Sequence, residues 1–533
     1  MGARCKNSKG LPTPINIIKF SRDLTDYDPI LKAKLILGFS NGFDIGFRGY
    51  PNNDLSVKNL NTVNDHPNVV EASIAKEIAA GRIAGPFNKP PFQTFQLNPI
   101  GIVPKKSPGS FRMITNLSSP SGTSINDCIN DVFSNVSYVS FDEAIKVIIS
   151  AGPQAFLAKS DIQSAFRLIP ITPSQYHLLC FSWRNAFYYD RCLPMGARSS
   201  CQLFELFASA LHFILNKNNI RFVVHYLDDF LLANNSAKKC QADLDLFLSI
   251  CQSLNIPIAL DKTFTPRQNI QFLGLEIDTV KETIKVPSDK VLKARLEIHK
   301  IINKKKCTLN ELQSLLGLLQ FTCKVIVPGR AFLQSLYRLT AGCSKPFHKI
   351  RVTKNMIKDL RIWLQFLDNF NGVSLFREEM FLSPNTVNIF TDASKNIGAG
   401  AVWDNFWFAL TWPSAWWPNQ NITFLELIPL VLALESWGPK LRNQYVRLYT
   451  DNIALVFIIN KQHSKENLVR IFIRRLVLAA LKYNILIKAS HIPGHHNILS
   501  DCLSRQQIAR FLTLHPTAEK IPSPIPSLPL NIS

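Results

Sequence analysis

The sequence predicts a multidomain chain of mixed α/β (α+β) class, and three observations carry that expectation. At 533 residues the chain is too long for one core. Residues 141–275 alternate helical and strand patterns, as a mixed α/β domain does. From Thr386 to Ser504 the alternation returns as β-β-α-β-α-β-α in outline, after a separate basic helical stretch. The 46% hydrophobic content is that of a globular chain with real cores, and no internal repeat is visible.

Residues 1–65 are polar and rich in Asn and Asp, with Gly42-Phe43 and Gly46-Phe47 turns, and predict an irregular extension. A first domain is expected over 66–280. It opens with a helix from Val69 to Gly81, stopped by Gly81, Gly85 and Pro86. Strands follow at Ile100–Val103 and Phe111–Thr115, joined by the basic loop Lys105-Lys106-Ser107-Pro108-Gly109. Residues 281–370 are strongly basic, with Leu309, Leu312, Leu315, Leu316, Leu319 and Phe321 at helical spacing. A third domain spans 386–505, and 506–533 form a tail whose Pro-rich end from Ile521 predicts disorder.

The 60 Lys+Arg exceed the 38 Asp+Glu by 22, which favours a polyanionic partner, nucleic acid being the commonest. No apolar run approaches the ~20 residues that span a bilayer. Met1 to Lys6 lack the apolar core of a signal peptide, and Lys6 stands where a myristoylation signal has Ser or Thr. The 11 cysteines are odd in number and include no Cys-x-x-Cys pair, which predicts reduced thiols inside a cell.

Two acidic constellations carry the chemistry. In the first, Tyr226-Leu227-Asp228-Asp229 lies between the apolar runs Phe222–Val224 and Phe230–Ala233 and reads as a β-hairpin tip. Asp-Asp is also an ordinary turn dipeptide. Adjacent carboxylates repel unless a cation or proton lies between them, which points to a divalent metal and phosphoryl chemistry. Asp161, at the end of the apolar run Ala155–Ala158, supplies the third carboxylate. Phe166, five residues on, would exclude a ribose 2′-hydroxyl beside the sugar; in isolation it is a core Phe. Lys105, Lys106 and Arg112 can clamp a triphosphate, and Gly196 in Leu193–Arg198 lets backbone approach a base or nucleotide.

In order, Lys105/Lys106, Arg112, Asp161-x4-Phe166, Leu193-Pro194-x-Gly196, Tyr226-x-Asp228-Asp229 and Phe272-Leu273-Gly274 resemble a reverse transcriptase over roughly residues 85–345. The resemblance implies a right-hand polymerase. Fingers and palm would occupy 66–280 and a basic thumb or connection 281–370, opened by Thr308-Leu309-x-Glu311-Leu312. It implies Phe272, Leu273 and Gly274 as primer grip, and Tyr226 with Lys105, Lys106, Arg112, Phe166 and Gly196 at the nucleotide. Met195 departs from the Gln or Phe usual in related families and puts nucleotide selectivity in question. Two Mg²⁺ ions per active site, or Mn²⁺, would be the cofactors.

The second constellation is Asp392, Glu426, Asp451 and Asp501, each at a strand end or helix start, with His491 in His491-Ile492-Pro493-Gly494. Singly, each acid reads as a cap, a first-turn acid or a surface carboxylate. Together they resemble the ribonuclease H fold over 386–505, which implies two further metal ions held by the four acids and a mobile His491 assisting proton transfer or product release. Phe43-Asp44-Ile45-Gly46-Phe47, Glu77-x4-Gly81-Arg82, Ser124–Asp127 and Asp451-Asn452 resemble DIRS-like retrotransposons, which encode a tyrosine recombinase.

The resemblances imply an enzyme that copies RNA into DNA and then cleaves the RNA of the hybrid. Its partners would be an RNA template, a DNA primer, an RNA–DNA hybrid and deoxynucleoside triphosphates, with no membrane. A recombinase or integrase would come from a separate polypeptide. Cytoplasm, nucleus and virus-like particles all fit. The alternatives are an inactive nucleic-acid-binding remnant, or ribonuclease H activity alone.

Overall fold

The computed structural model describes residues 10–105, 109–326, 329–369, 374–375, 386–413, 421–442, 444–483 and 485–527. The chain divides into two compact units, Met1–Leu273 with Asp278–Val280, and Gly274–Ile277 with Lys281–Ser533. Among the described residues no helix is long and apolar enough to cross a membrane.

The first unit is built on a four-stranded antiparallel sheet. Its order is Val223–Tyr226, Asp229–Asn234, Phe156–Asp161, Phe264–Arg267. Helix Ala237–Ser253, capped by Ser236, and helix Ser200–Lys217 bury Phe204, Phe207, Leu211, Leu244 and Phe247 in the same core as Phe230 and Leu232. The predicted strands form the hairpin Ile100–Pro104 and Phe111–Thr115 with Val103 opposite Arg112, and the predicted helix spans Pro67–Ala79.

The expectation of an irregular segment at 1–65 is corrected over residues 17–41; residues 42–61 form no helix or strand beyond isolated bridges, and residues 1–9 lie outside the described residues. Helices Ile17–Asp23 and Pro29–Asn41, capped by Asn16 and Asp28, bury Phe20, Leu24, Leu35 and Phe39 in the central core. The rings of Phe20 and Phe39 lie 5.7 and 5.6 Å from Phe207. Helix Ile17–Asp23 is short, and Pro29–Asn41 also exposes Ile30, Leu31 and Leu37, so apolar residues on several faces leave little periodic signal and stability comes from docking.

A charge network ties helix Pro67–Ala79 to this core. Arg167 donates to Glu77 at 3.0 Å and to Asp190 at 2.6 Å, and Arg82 donates to Glu77 at 2.8 Å through both Nε and Nη2. The guanidinium of Arg167 is largely buried between two carboxylates, so removing it leaves like charges facing each other out of water.

A second polar chain lies under the hairpin. The Nδ1 atoms of His212 and His225 are 2.8 Å apart, one donating to the other, and Nε2 of His225 is 2.9 Å from Oε1 of Glu205. The His225 ring stacks on Phe230 at 5.2 Å. Burial first, and the neighbouring His225 second, push the His212 imidazole down to about 4.

In the second unit Thr308 and Glu311 form a reciprocal capping box that starts helix Leu309–Thr322. Leu309, Leu312, Leu315, Leu316 and Leu319 are buried as their spacing predicts, while Phe321 is half-buried under the Lys290 ammonium, 3.9 Å from the ring centroid. Helices Ser288–Ile302, Arg330–Arg338 and Lys354–Asn369 complete this bundle.

The five-stranded sheet that follows has the order Phe406–Thr411, Gly398–Trp403, Val387–Ala393, Tyr445–Thr450, Leu486–His491. The first three strands are antiparallel neighbours, and the last two join in parallel. The chain order is β-β-β-α-β-α-α-β-α, which adds strand Phe406–Thr411 and splits one expected helix into Ile453–Lys461 and Asn467–Lys482. The expected disorder from Ile521 is corrected through residue 524. Trp407 donates to the Glu519 carbonyl at 2.7 Å, Ser523 N donates to the Trp407 carbonyl at 2.7 Å, and Ser436 donates to Pro524. Exposed backbone at the edge strand thus finds partners in the tail. Residues 528–533 lie outside the described residues.

Two outcomes are expected. Arg167→Met should lower the stability of the first unit by about 3–5 kcal/mol, read as a shift of its urea midpoint. His212 has a folded pKa of about 4, against 6.5 unperturbed, so between those values the unfolded chain binds the extra proton. Its contribution is complete above about pH 6.5 and is lost as pH falls through about 4. Melting curves across that window should show the loss, and His212→Gln should remove it.

Candidate active sites

The first acidic site follows from register. Tyr226 pairs with Asp229 and closes a two-residue turn, Leu227-Asp228, with Leu227 held at φ 54°. A positive φ is costly for a bulky side chain and persists only where its surroundings enforce it. Asp161 pairs directly with Asp229 on the adjacent antiparallel strand, and Ile162 N donates to the Asp228 carbonyl at 2.9 Å. The backbone alone therefore brings Asp161, Asp228 and Asp229 to one sheet end.

Two lysines balance this charge. Lys262 Nζ lies 3.1 Å from both oxygens of Asp161, and Lys159 Nζ lies 2.8 Å from Oδ2 of Asp229. Burial nevertheless raises Asp229 to about 6, and burial followed by the Asp161 charge raises Asp228. Oδ1 of Asp229 is buried without a hydrogen-bond partner. An orphaned carboxylate oxygen beside two more carboxylates is a donor set that fits a hard divalent cation.

The other polymerase-type residues are placed unevenly. Lys105 leaves strand Ile100–Pro104 and its N donates to the Ser110 carbonyl at 2.7 Å; Lys106 lies outside the described residues. Arg112 Nη1 sits 3.7 Å from Sδ of Met195. Gly196 has φ 103°, and its carbonyl accepts from Asn126 Nδ2 at 2.9 Å. Asn126 also accepts from Arg198 N at 2.8 Å, so it pins the whole turn. Phe166 is half-buried, its ring 5.3 Å from Phe204, and Tyr226 packs on Tyr138 at 4.9 Å. Phe272 is fully buried, and Leu273 and Gly274 follow at φ 48° and 77°. Sequence reasoning missed Asn126, Lys159 and Lys262. Lys159, two residues before Asp161 on the same strand face, carried the one available signal.

The second site is tighter. Among the described residues, Asp392, Glu426 and Asp451 are the only group of three or more candidate metal ligands whose donor atoms all lie within 4.8 Å of one another. Asp392 lies opposite Gly400, where a Cβ would come within 2.2 Å of Leu503 Cβ. That close approach brings helix Ile498–Ser504 onto the sheet, and Ser504 Oγ donates to Asp392 Oδ2. Glu426 lies one turn into helix Ile422–Trp437, which Asn421 caps. Its carboxylate accepts from Ala393 N and Thr450 Oγ1, both at 3.3 Å. Asp451 is not a cap: Asn452 caps helix Ile453–Lys461 instead, leaving Asp451 facing the acids.

Burial, then Asp392 and Asp451, push Glu426 up to about 9, and burial with Asp451 and Asp501 raises Asp392. Asp501 lines the same cavity of about 500 Å³ but stands outside the tight trio, held by Arg505 Nε at 2.7 Å. All four predicted acids therefore line one cavity, three of them within 4.8 Å of one another and Asp501 paired with Arg505 one turn on. His491 ends strand Leu486–His491, is exposed and does not line the cavity, although a Cβ on Gly494 in the same loop would lie 3.4 Å from Asp451 Oδ2. Crowded, buried oxygen donors again fit a divalent cation.

Residues 103–277 match the family model for reverse transcriptase (RNA-dependent DNA polymerase). The chain is 33% identical over 142 residues to Protein P of duck hepatitis B virus, covering 26% of this chain and 17% of that protein. It is 26% identical over 198 residues to the Pro-Pol polyprotein of simian foamy virus type 1, covering 35% of this chain and 15% of that one. The chain thus spans less than a fifth of either relative. A foamy viral protease-reverse transcriptase, solved in complex with double-stranded DNA, shares the fold with TM-score 0.51 at 17% identity, over 92% of this chain and 84% of that one. Residues 103–277 are thus similar to the reverse transcriptase family, in a chain that shares its fold with a foamy viral protease-reverse transcriptase.

Proposed function

We propose that the chain is an RNA-directed DNA polymerase coupled to a ribonuclease H, which copies retroelement RNA into DNA and hydrolyses the RNA of the resulting hybrid. The observation that carries this reading is the pairing of Asp161 with Asp229 beside Asp228, in the segment that matches the reverse transcriptase family. The trio Asp392, Glu426 and Asp451 supports the second activity.

Asp161, Asp228 and Asp229 would hold the cations of the polymerase site, and Asp392, Glu426 and Asp451, with Asp501, those of the nuclease site. Bound Mg²⁺, two per site, or Mn²⁺ supplies acidity to the attacking hydroxyl or water and neutralises the leaving oxygen. Lys105 and Arg112 bind triphosphate oxygens, Phe166 excludes a ribose 2′-hydroxyl, and Gly196 lets the backbone reach the base pair. Tyr226 contacts the nucleotide, and the turn Phe272-Leu273-Gly274 positions the primer end. Ser504 and Thr450 fix the orientation of Asp392 and Glu426 by hydrogen bonds. His491 exchanges a proton with the leaving group or aids product release.

The substrates are deoxynucleoside triphosphates, an RNA template, a DNA primer and the RNA–DNA hybrid, held through the chain's positive charge. The motif run from Phe43-Asp44-Ile45-Gly46-Phe47 to Ser124–Asp127, with Asp451-Asn452, supports a DIRS-like element, whose recombinase would be a separate polypeptide.

The test gives purified protein an RNA template and DNA primer, with and without Mg²⁺, and follows synthesis and template cleavage together. Asp228→Asn with Asp229→Asn should reduce extension to its level without Mg²⁺ and leave cleavage intact. Asp392→Asn should do the reverse. Loss of both activities from either change, in folded protein, would sink the two-site reading.

A further inference from the structure

Helix Arg330–Arg338 and the link between helices Ile453–Lys461 and Asn467–Lys482 border a cavity of about 390 Å³ within the second unit. Gln320, Arg330, Gln334, Tyr337, Lys461 and His463 line it, and among the described residues no carboxylate does. Two cations and an imidazole thus converge from separate stretches of chain, with Gln320, Gln334 and Tyr337 as neutral hydrogen-bonding groups and Leu333 as an apolar wall.

A second observation points the same way. Arg338, Arg470 and Arg474 gather beside this cavity's helix; Arg338 donates to the Lys465 carbonyl at 3.3 Å. Burial, then the charges of Arg338 and Arg474, push the Arg470 guanidinium down, and its Nη1 is buried without a partner. The nearby acids are already engaged. Asp359 accepts from Arg474 and Ser335, and Glu466 accepts from Asn421 at 2.9 Å. These arginines do not line the cavity, but they add positive charge beside the helix that does.

We infer that this cavity binds a phosphodiester of the nucleic-acid backbone, with Arg330, Lys461 and His463 as its contacts. The inference rests on the proposed function for the choice of nucleic acid as the anion's source. The site also has a fixed relation to the acidic trio. Helix Ile453–Lys461 starts two residues after Asp451, and at about 1.5 Å per residue it carries Lys461 roughly 13 Å away. That is on the order of four phosphate steps at ~3.4 Å per strand charge. The helix therefore acts as a spacer between a held phosphate and the bond to be cut.

The experiment measures binding of a labelled RNA–DNA hybrid in EDTA across a salt series, with wild-type protein, Lys461→Gln, and Arg330→Gln with Lys461→Gln. Lys461 is exposed, so the single variant keeps the fold. The slope of log K against log salt should fall by about 0.7–0.9 in the single variant and by about twice that in the double. The fall should be the same on hybrids of unrelated sequence, and Lys461→Arg should restore the wild-type slope. Cleavage of the same hybrids in Mg²⁺ should lose its preferred positions in the double variant. Unchanged slopes and positions, with wild-type binding intact, would overturn the phosphate site alone. Wild-type protein that binds the hybrid but neither extends nor cleaves would overturn the proposed function instead.

Discussion

The structure depends on one electrostatic constraint: carboxylates that repel must be held side by side. Antiparallel pairing places Asp161 against Asp229, and a two-residue turn leaves Asp228 no room to retreat. In the tighter trio of Asp392, Glu426 and Asp451, two unit charges 4.8 Å apart would repel by about 3.5 kcal/mol at an effective dielectric constant of about 20, a sizeable share of a domain's stability. Such an arrangement persists only on a scaffold that does not yield. The first unit supplies one through the fully buried Phe230, Phe207 and Phe247 beneath the hairpin and the N-terminal helices that add Phe20 and Phe39.

The two acidic sites meet the same constraint differently. At the hairpin, ammonium groups are built in: Lys262 spans both oxygens of Asp161 and Lys159 meets Asp229. At the second site the carboxylates lie closer together, and relief comes from protonation, with Glu426 raised to about 9. A group that retains its proton near neutrality is a weak charge donor until a cation competes for its oxygens. The two sites therefore differ in the countercharge the chain supplies, two lysines at the first and Arg505 beside Asp501 at the second.

Features fixed by local chemistry were legible in the sequence. The hairpin around Asp228-Asp229 and the leucine stripe from Leu309 to Leu319 need only neighbours in the chain. Strand Phe406–Thr411 escaped because Phe-Trp-Phe-Ala-Leu-Thr lacks polar alternation; the tail covers its edge and hides the period. The helices at 17–41 escaped because their order comes from docking on Phe207. The pairing of Asp501 with Arg505 was not legible because it appears only once helix Ile498–Ser504 is formed. Lys262 reaches Asp161 from 101 residues away, a distance over which spacing carries no information.

Lys159 joins these threads. Its ammonium meets Oδ2 of Asp229 and also donates to the Gln271 carbonyl at 3.2 Å, one residue before Phe272. The Phe272 ring lies 6.0 Å from the same nitrogen. A single charge thus links the acid at the hairpin to the strand that leads into Leu273 and Gly274, two consecutive residues at positive φ. Backbone held in that conformation needs support from outside itself, and the strand before it is anchored through Lys159 to Asp229. Position along one strand and charge at the next are, in this fold, set by the same side chain.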